Sequence, residues 1–214
     1  MTAKALSYRR GASGSGAQRP PIGSRRRFMN HRRPSMTLAV LIMTLMVATA
    51  AWAAPRPPDK LAVHSQPRPV PEIVFTDDTG ERTTLADFTG KVVVLNIWAT
   101  WCPPCRREMP TLDRLEAELG GDRFAVVALS VDQSEREVVR EFFEEEGIEY
   151  LGLYIDTSAR VLADLRIRGI PTTLIVDAAG REIARISGEA DWAEPAMMEY
   201  FRGLVAATRK ENDA

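Results

Sequence analysis

Leu95-Asn96-Ile97-Trp98-Ala99-Thr100-Trp101-Cys102-Pro103-Pro104-Cys105 holds both cysteines of the chain, with two residues between them. The run from Lys91 to Ile97 (KVVVLNI) is β-branched and apolar, the pattern of a strand buried on both faces of a sheet. From Pro103 onward Met109, Leu112, Leu115 and Leu119 recur at three- and four-residue spacing, which predicts a helix. Cys102 then stands where strand becomes helix. Unpaired N–H groups and the positive end of a helix favour a thiolate there and lower a thiol's pKa. Cys105, one turn further in, is close enough to close a small ring with Cys102. The pattern is that of a reversible dithiol.

Two plainer readings of the pair fare worse. Zinc asks for four ligands, and the only histidines, His31 and His64, stand far from the cysteines in sequence, so no metal site is expected. A purely structural disulfide over so short a spacer closes almost no chain and stabilises little.

Working outward, Glu72 to Phe75 and Arg82 to Leu85 read as two strands of a hairpin around the turn residues Thr76 to Glu81. Gly120-Gly121-Asp122 ends the helix that follows the cysteines. Phe124 to Val131 is a second buried strand. Ser134 precedes an acidic helix, Glu135 to Glu146, with Val138, Val139, Phe142 and Phe143 facing inward. Its Glu144-Glu145-Glu146 run reads as a solvated face rather than a docking site. Tyr150 to Ile155 is a third strand and Ser158 to Leu165 a short helix. Thr172 to Asp177 and Arg181 to Ser187 form a closing hairpin, and Ala193 to Thr208 a final helix. Met197, Met198, Phe201, Leu204 and Val205 are its buried stripe, the methionines being core filler rather than copper ligands. Strands alternating with helices imply an α/β domain with a central sheet covered on both faces.

The chain's formal charge of −1 hides a split: residues 1–35 carry nine Lys/Arg and no Asp/Glu, leaving −10 on the rest. An acidic body argues against nucleic acid as a partner. The basic segment reads as a targeting leader. Ser24-Arg25-Arg26-Arg27-Phe28-Met29 has the form of a twin-arginine export signal, and Thr37 to Ala54 is an uncharged stretch of 18 residues ending in an A-x-A cleavage pattern. A start at Met29 would instead leave an ordinary secretory signal. The apolar stretch is also nearly long enough to stay in a membrane as an anchor. Every alternative ends in export, to the periplasm or the outer face of the cytoplasmic membrane, with membrane contact confined to residues 37–54. Prolines 55, 57, 58, 67, 69 and 71 make the next segment an extended linker in which His64 is simply solvated. The expected division is thus leader 1–54, linker 55–71 and folded domain 72–210.

NIWATWCPPC, together with Gly169-Ile170-Pro171-Thr172, resembles the thioredoxin superfamily, and within it the exported TlpA/ResA-type thiol–disulfide oxidoreductases. The resemblance runs from about Val70 to Ala207. It implies a thioredoxin-like three-layer α/β/α fold, with an N-terminal hairpin extension and an α/β unit inserted after the second core strand. Cytosolic thioredoxins carry a buried aspartate six residues before the first cysteine; this chain has Asn96, the usual choice of the exported branch, which also tends to carry the glutamate found here at Glu108.

The resemblance further implies roles. Cys102 attacks and Cys105 resolves, the two forming the redox-active disulfide. Trp101, Pro103, Pro104, Ile170 and Pro171 would form the substrate-binding surface. Ile170-Pro171 would be a cis-proline loop offering its backbone to an extended substrate strand; the plainer alternative is a trans turn. Glu108, one turn from Cys105, either supports proton transfer or makes a solvent-exposed salt bridge. No cofactor is expected. Expected partners are proteins: apocytochrome c before haem attachment, or a copper-site dithiol, with a membrane electron donor restoring the thiols. The same chemistry run backwards would make an oxidase of exported proteins, against which stands the lack of that group's large helical insertion. A copper or haem chaperone lacks a histidine near the cysteines, and a thiol peroxidase would need Pro-x-x-x-Thr-x-x-Cys before Cys102, which is missing.

Overall fold

Alternation along the strand Val92–Trp98 places Val92, Val94, Asn96 and Trp98 on one face of a sheet and Val93, Leu95 and Ile97 on the other, and all seven are buried. In the computed structural model, which describes residues 57–134 and 136–212, this strand is β4 of an eight-stranded sheet. The strands are β1 (Ala62–Pro69), β2 (Val74–Thr76), β3 (Arg82–Thr84), β4, β5 (Phe124–Ser130), β6 (Tyr154–Ile155), β7 (Thr172–Val176) and β8 (Arg181–Ser187). The helices are α1 (Pro103–Leu119), α2 (Arg136–Glu146), α3 (Val161–Asp164) and α4 (Pro195–Asn212), with a 3-10 turn at Leu85–Phe88.

The strand order is β1-β8-β7-β4-β5-β6-β2-β3. β4 runs parallel to β5, Val92 opposite Phe124, and antiparallel to β7, Asn96 opposite Thr173. The Asn96 face of β4 carries the helices. Asn96 meets Glu108 of α1, Trp98 packs on Phe142 and Phe143 of α2 with ring centroids 5.1 and 5.9 Å away, and Phe124 meets Phe201 of α4 at 5.6 Å. The expected helix–strand order and closing hairpin are present. So is the N-terminal hairpin, which extends the sheet beyond β6 through Thr76 and Ile155.

Five expectations are corrected. Residues 62–69 are not linker but an edge strand, paired with β8. Pro67 and Pro69 are tolerated there because an edge strand leaves one row of N–H groups without a ladder partner, and the register shifts between Val63 and Arg68. His64 is accordingly not solvated: its side chain is 10% exposed and its Nε2 lies 2.8 Å from Glu182 Oε1. The third strand is only Tyr154–Ile155, because the Asp113 carboxylate takes the N–H groups of Glu149, Tyr150 and Leu151 (3.2, 2.7 and 3.0 Å) that a sheet would have used. The helix expected at 158–165 shrinks to α3, since Ala159 at φ 53° lies outside helical space. Val138, placed inward by its spacing, is 40% exposed; Val139, Phe142 and Phe143 form the buried stripe of α2 alone. The leader and the apolar stretch 37–54 lie outside the described residues. Among the described residues, no helix is long and apolar enough to cross a membrane.

Candidate active site

The chain leaves β4 at Trp98 and must turn before α1 can start. A single carboxylate fixes that turn: Asp132 accepts from the Thr100 N–H (2.9 Å), the Thr100 hydroxyl (2.7 Å) and the Ser130 hydroxyl (2.6 Å). Asp132 is buried, so its three donors offset the loss of water around a charge. Trp101, at the tip of the turn, is 66% exposed, whereas Trp98 beneath it is fully buried.

Cys102 caps α1 with extended backbone (φ −96°, ψ 104°), and Pro103 and Pro104 fill the first two helical positions. Proline is pre-set for a helix start and has no N–H to leave unpaired. The first helical amide present is therefore that of Cys105, which donates to Cys102 Sγ at 3.3 Å. The two cysteines form a disulfide with Cα atoms 5.3 Å apart. Cys105 is fully buried and Cys102 retains a slight exposure, so only one sulfur faces solvent.

The peptide between Ile170 and Pro171 is cis, as expected, and the Ile170 carbonyl oxygen lies 3.8 Å from Cys102 Sγ. The loop is held from both sides: the Thr172 hydroxyl donates to the Gly169 carbonyl (2.7 Å) and the Gly188 N–H to the Pro171 carbonyl (2.8 Å). Cys102 and the Ile170–Pro171 loop, far apart in sequence, thus meet, with Trp101 exposed next to Cys102 and Pro171 itself buried.

Behind the disulfide lies a polar cluster inside an apolar layer. Glu108 is buried, which rules out the solvent-exposed salt bridge. Its Oε1 accepts from Asn96 Nδ2 at 2.6 Å, and its Oε2 from the Ala190 N–H at 3.0 Å and Trp192 Nε1 at 3.2 Å. Asn96 Nδ2 also donates to the Thr173 hydroxyl at 2.8 Å. Burial pushes the Glu108 pKa up from 4.5 to about 7, against the pull of those three donors. Asn96 suits this place because an amide can donate to Glu108, where an aspartate would set a second carboxylate against it.

Thr173, Ala190 and Trp192 carry no mark of this cluster in the sequence. Thr173 and Trp192 reach Asn96 and Glu108 across 77 and 84 residues, and no local period records such contacts. Asp132 had one faint signal, a lone acid directly after a buried strand. Glu146, from the acidic run, does pair with Arg106 of α1 at 2.7 Å, while that guanidinium sits 4.6 Å from the centre of the Phe142 ring.

The family model described as Redoxin matches residues 66–200. The chain belongs to the Redoxin family. This redoxin is 35% identical over 147 residues to the thioredoxin-like protein YneN of Bacillus subtilis, covering 67% of this chain and 84% of the relative. It is 31% identical over 135 residues to the thiol-disulfide oxidoreductase ResA of Bacillus thuringiensis, covering 63% and 76%. Among solved structures, a Chlorobium tepidum protein assigned as thiol:disulfide interchange protein DsbE is 26% identical, with a TM-score of 0.56 over 67% of this chain and 96% of that one. A DsbF homologue from Corynebacterium diphtheriae is also 26% identical, with a TM-score of 0.55 over 71% and 96%. The fold is thioredoxin-like, and the redoxin is a thiol–disulfide oxidoreductase of the ResA/DsbE type, with Cys102 and Cys105 as its CxxC pair.

Proposed function

We propose that this oxidoreductase acts as a reductant of specific protein disulfides outside the cytoplasm, with Cys102 as attacking thiolate and Cys105 as resolving thiol. The observation that carries the direction is the single amide on Cys102 Sγ. Of the second- and third-position N–H groups that a helix start aims at its cap side chain, Pro104 withholds one, and only that of Cys105 is left. A thiolate with fewer donors is less stabilised, so the reduced form is held less tightly and gives up its electrons more readily.

The Cys102 thiolate bonds to one sulfur of the substrate disulfide, and the other substrate sulfur leaves as a thiolate. Cys105 then loses its proton and attacks Cys102 Sγ, forming the enzyme disulfide and releasing the second substrate thiolate. Two electrons pass to the substrate, whose two sulfurs take up protons. Glu108, one turn from Cys105 and with a pKa near neutrality, is suited to exchange the Cys105 proton. Trp101 and the Ile170–Pro171 backbone flank the one exposed sulfur and form the surface on which an extended substrate segment docks. The resemblance makes an apocytochrome c dithiol or a copper-site dithiol the product, and a membrane dithiol donor the source of electrons. Residues 1–54 direct export, and 37–54 serve as cleaved signal or anchor.

Replacing Cys105 with serine removes the resolving thiol. The Cys105→Ser chain, expressed in its own cell, should accumulate Cys102 in mixed disulfides with a small set of exported proteins. Recovery of none, or of an indiscriminate sample of thiol proteins, would overturn the proposal of a dedicated reductant.

A further inference from the structure

The cis-proline loop forms one wall of a cleft of about 300 Å³ lined by Arg166, Arg168, Ile170, Pro171, Arg185 and Gly188, among others. Three of its lining residues are arginines and none is a carboxylate. On a body that carries −10 outside its first 35 residues, this is a local reversal of sign beside the loop that meets the Cys102 sulfur.

The three arginines are not equivalent. Arg185 is committed to the fold: its Nε and Nη2 each lie 2.8 Å from a Glu182 oxygen, and its Nη1 donates to the Leu165 carbonyl at 3.1 Å. Arg166 and Arg168 are exposed, and among the described residues neither side chain has a hydrogen bond or ion pair. Arg166 also occupies a left-handed conformation (φ 53°), which a non-glycine residue seldom adopts. Its amide still bonds the Ala163 carbonyl at 3.1 Å, so the backbone there is fixed and the guanidinium is presented from a rigid base.

We infer that Arg166 and Arg168 select substrates whose reactive disulfide is flanked by acidic side chains. The inference rests on the reading of this site as one that exchanges disulfides with protein segments. A segment lying along Ile170 advances about 3.3 Å per residue, so a carboxylate a few residues from the reacting cysteine reaches the cleft. A guanidinium offers it a forked pair of donors that an amide or hydroxyl on the substrate does not engage as well. Trp101, next to Cys102, adds an exposed aromatic surface that does not line this cleft. A phosphate or a lipid headgroup would satisfy the guanidinium charge equally well, but neither carries a sulfur to the adjacent Cys102.

The test uses the reduced full-length chain and a pair of disulfide-bridged peptides, identical except that three glutamates beside the disulfide in one are glutamines in the other. The glutamate peptide should be reduced with a kcat/KM about five- to tenfold higher at low salt, and the ratio should fall towards one in 0.5 M salt. In R166Q/R168Q the ratio should be near one at every salt concentration; in R166E/R168E it should invert. Equal rates on the two peptides, or a preference that survives both double variants, would overturn the inference. A neutral disulfide such as 2,2′-dithiodipyridine separates the underlying reading. If the unaltered chain fails to reduce that reagent, the exchange chemistry itself is wrong and the inference falls with it. If the reagent is reduced and the peptides are not distinguished, only the selection by charge is wrong.

Discussion

Glu108 is an acid with three hydrogen-bond donors and almost no water, and the two facts pull its proton affinity in opposite directions. Burial wins, placing the pKa at about 7. Between 4.5 and about 7 the folded chain keeps a proton that the unfolded chain has lost, so stability falls as pH rises through that window and is level on either side. Glu108→Gln cannot titrate. Urea midpoints at pH 4.5 and 7.5 should therefore differ less in the variant, with up to about 3 kcal/mol of pH-dependent stability removed. The same variant should shift the pH profile of disulfide exchange near neutrality. A difference between the two urea midpoints that is the same in Glu108→Gln as in the unaltered chain would show that Glu108 titrates as an ordinary surface acid.

At the scale of the element, α1 joins the sheet's chemistry to the solvent through its first turn. Pro104 occupies the second helical position, whose N–H in other helices points at the cap side chain. Pro104→Ala restores that donor to Cys102 Sγ. The Cys102 thiol pKa should fall by about half a unit to one unit, and the reduction potential should rise by some tens of millivolts, about 30 mV per 1.4 kcal/mol of thiolate stabilisation. Thiol titration by absorbance at 240 nm checks the first and equilibration with glutathione the second. A pKa that does not move would mean that the helix start has no hold on the sulfur. Elements like α1 and β4 were legible because burial leaves a period in the sequence. Val92 to Trp98 are apolar save Asn96, and Met109, Leu112 and Leu115 recur on one face. β6 and α3 were not: a side chain from 36–38 residues away limits β6, and a left-handed Ala159 beside the local Asp156 contacts limits α3. Asp113 holds three amides of residues 149–151, and Asp156 holds the Ser158 and Val161 amides at 3.0 and 2.9 Å.

Among the described residues the eight-stranded sheet ends in β3 on one side and β1 on the other. Proline-rich composition concealed β1, since it forbids a central strand but permits an edge one. Burial pushes the Glu182 carboxyl upward, but the contacts of Arg185 on β8 and His64 on β1 outweigh it and hold the carboxyl below the usual range. A chain lacking residues 1–69 would expose the hydrogen-bonding edge of β8, an invitation to pair with another copy. It should be less stable to urea than a chain lacking only residues 1–56, and should associate in sedimentation experiments where the longer form stays monomeric. Equal behaviour would mean that β1 adds nothing to the sheet. Of the site, the sequence showed what lies on one local stretch, Trp101 to Cys105, and by resemblance the Ile170–Pro171 loop. It could not show that Asn96, Thr173, Ala190 and Trp192 converge around Glu108, because that convergence exists only once β4, β7 and α1 have packed.

The reduction potential of the Cys102–Cys105 couple, read from its equilibrium with a reference dithiol, tests the account most directly. One amide on Cys102 Sγ, with the second-position donor withheld by Pro104, predicts a value near or below that of thioredoxin, about −270 mV. A value near −120 mV, that of a strong oxidant, would contradict it.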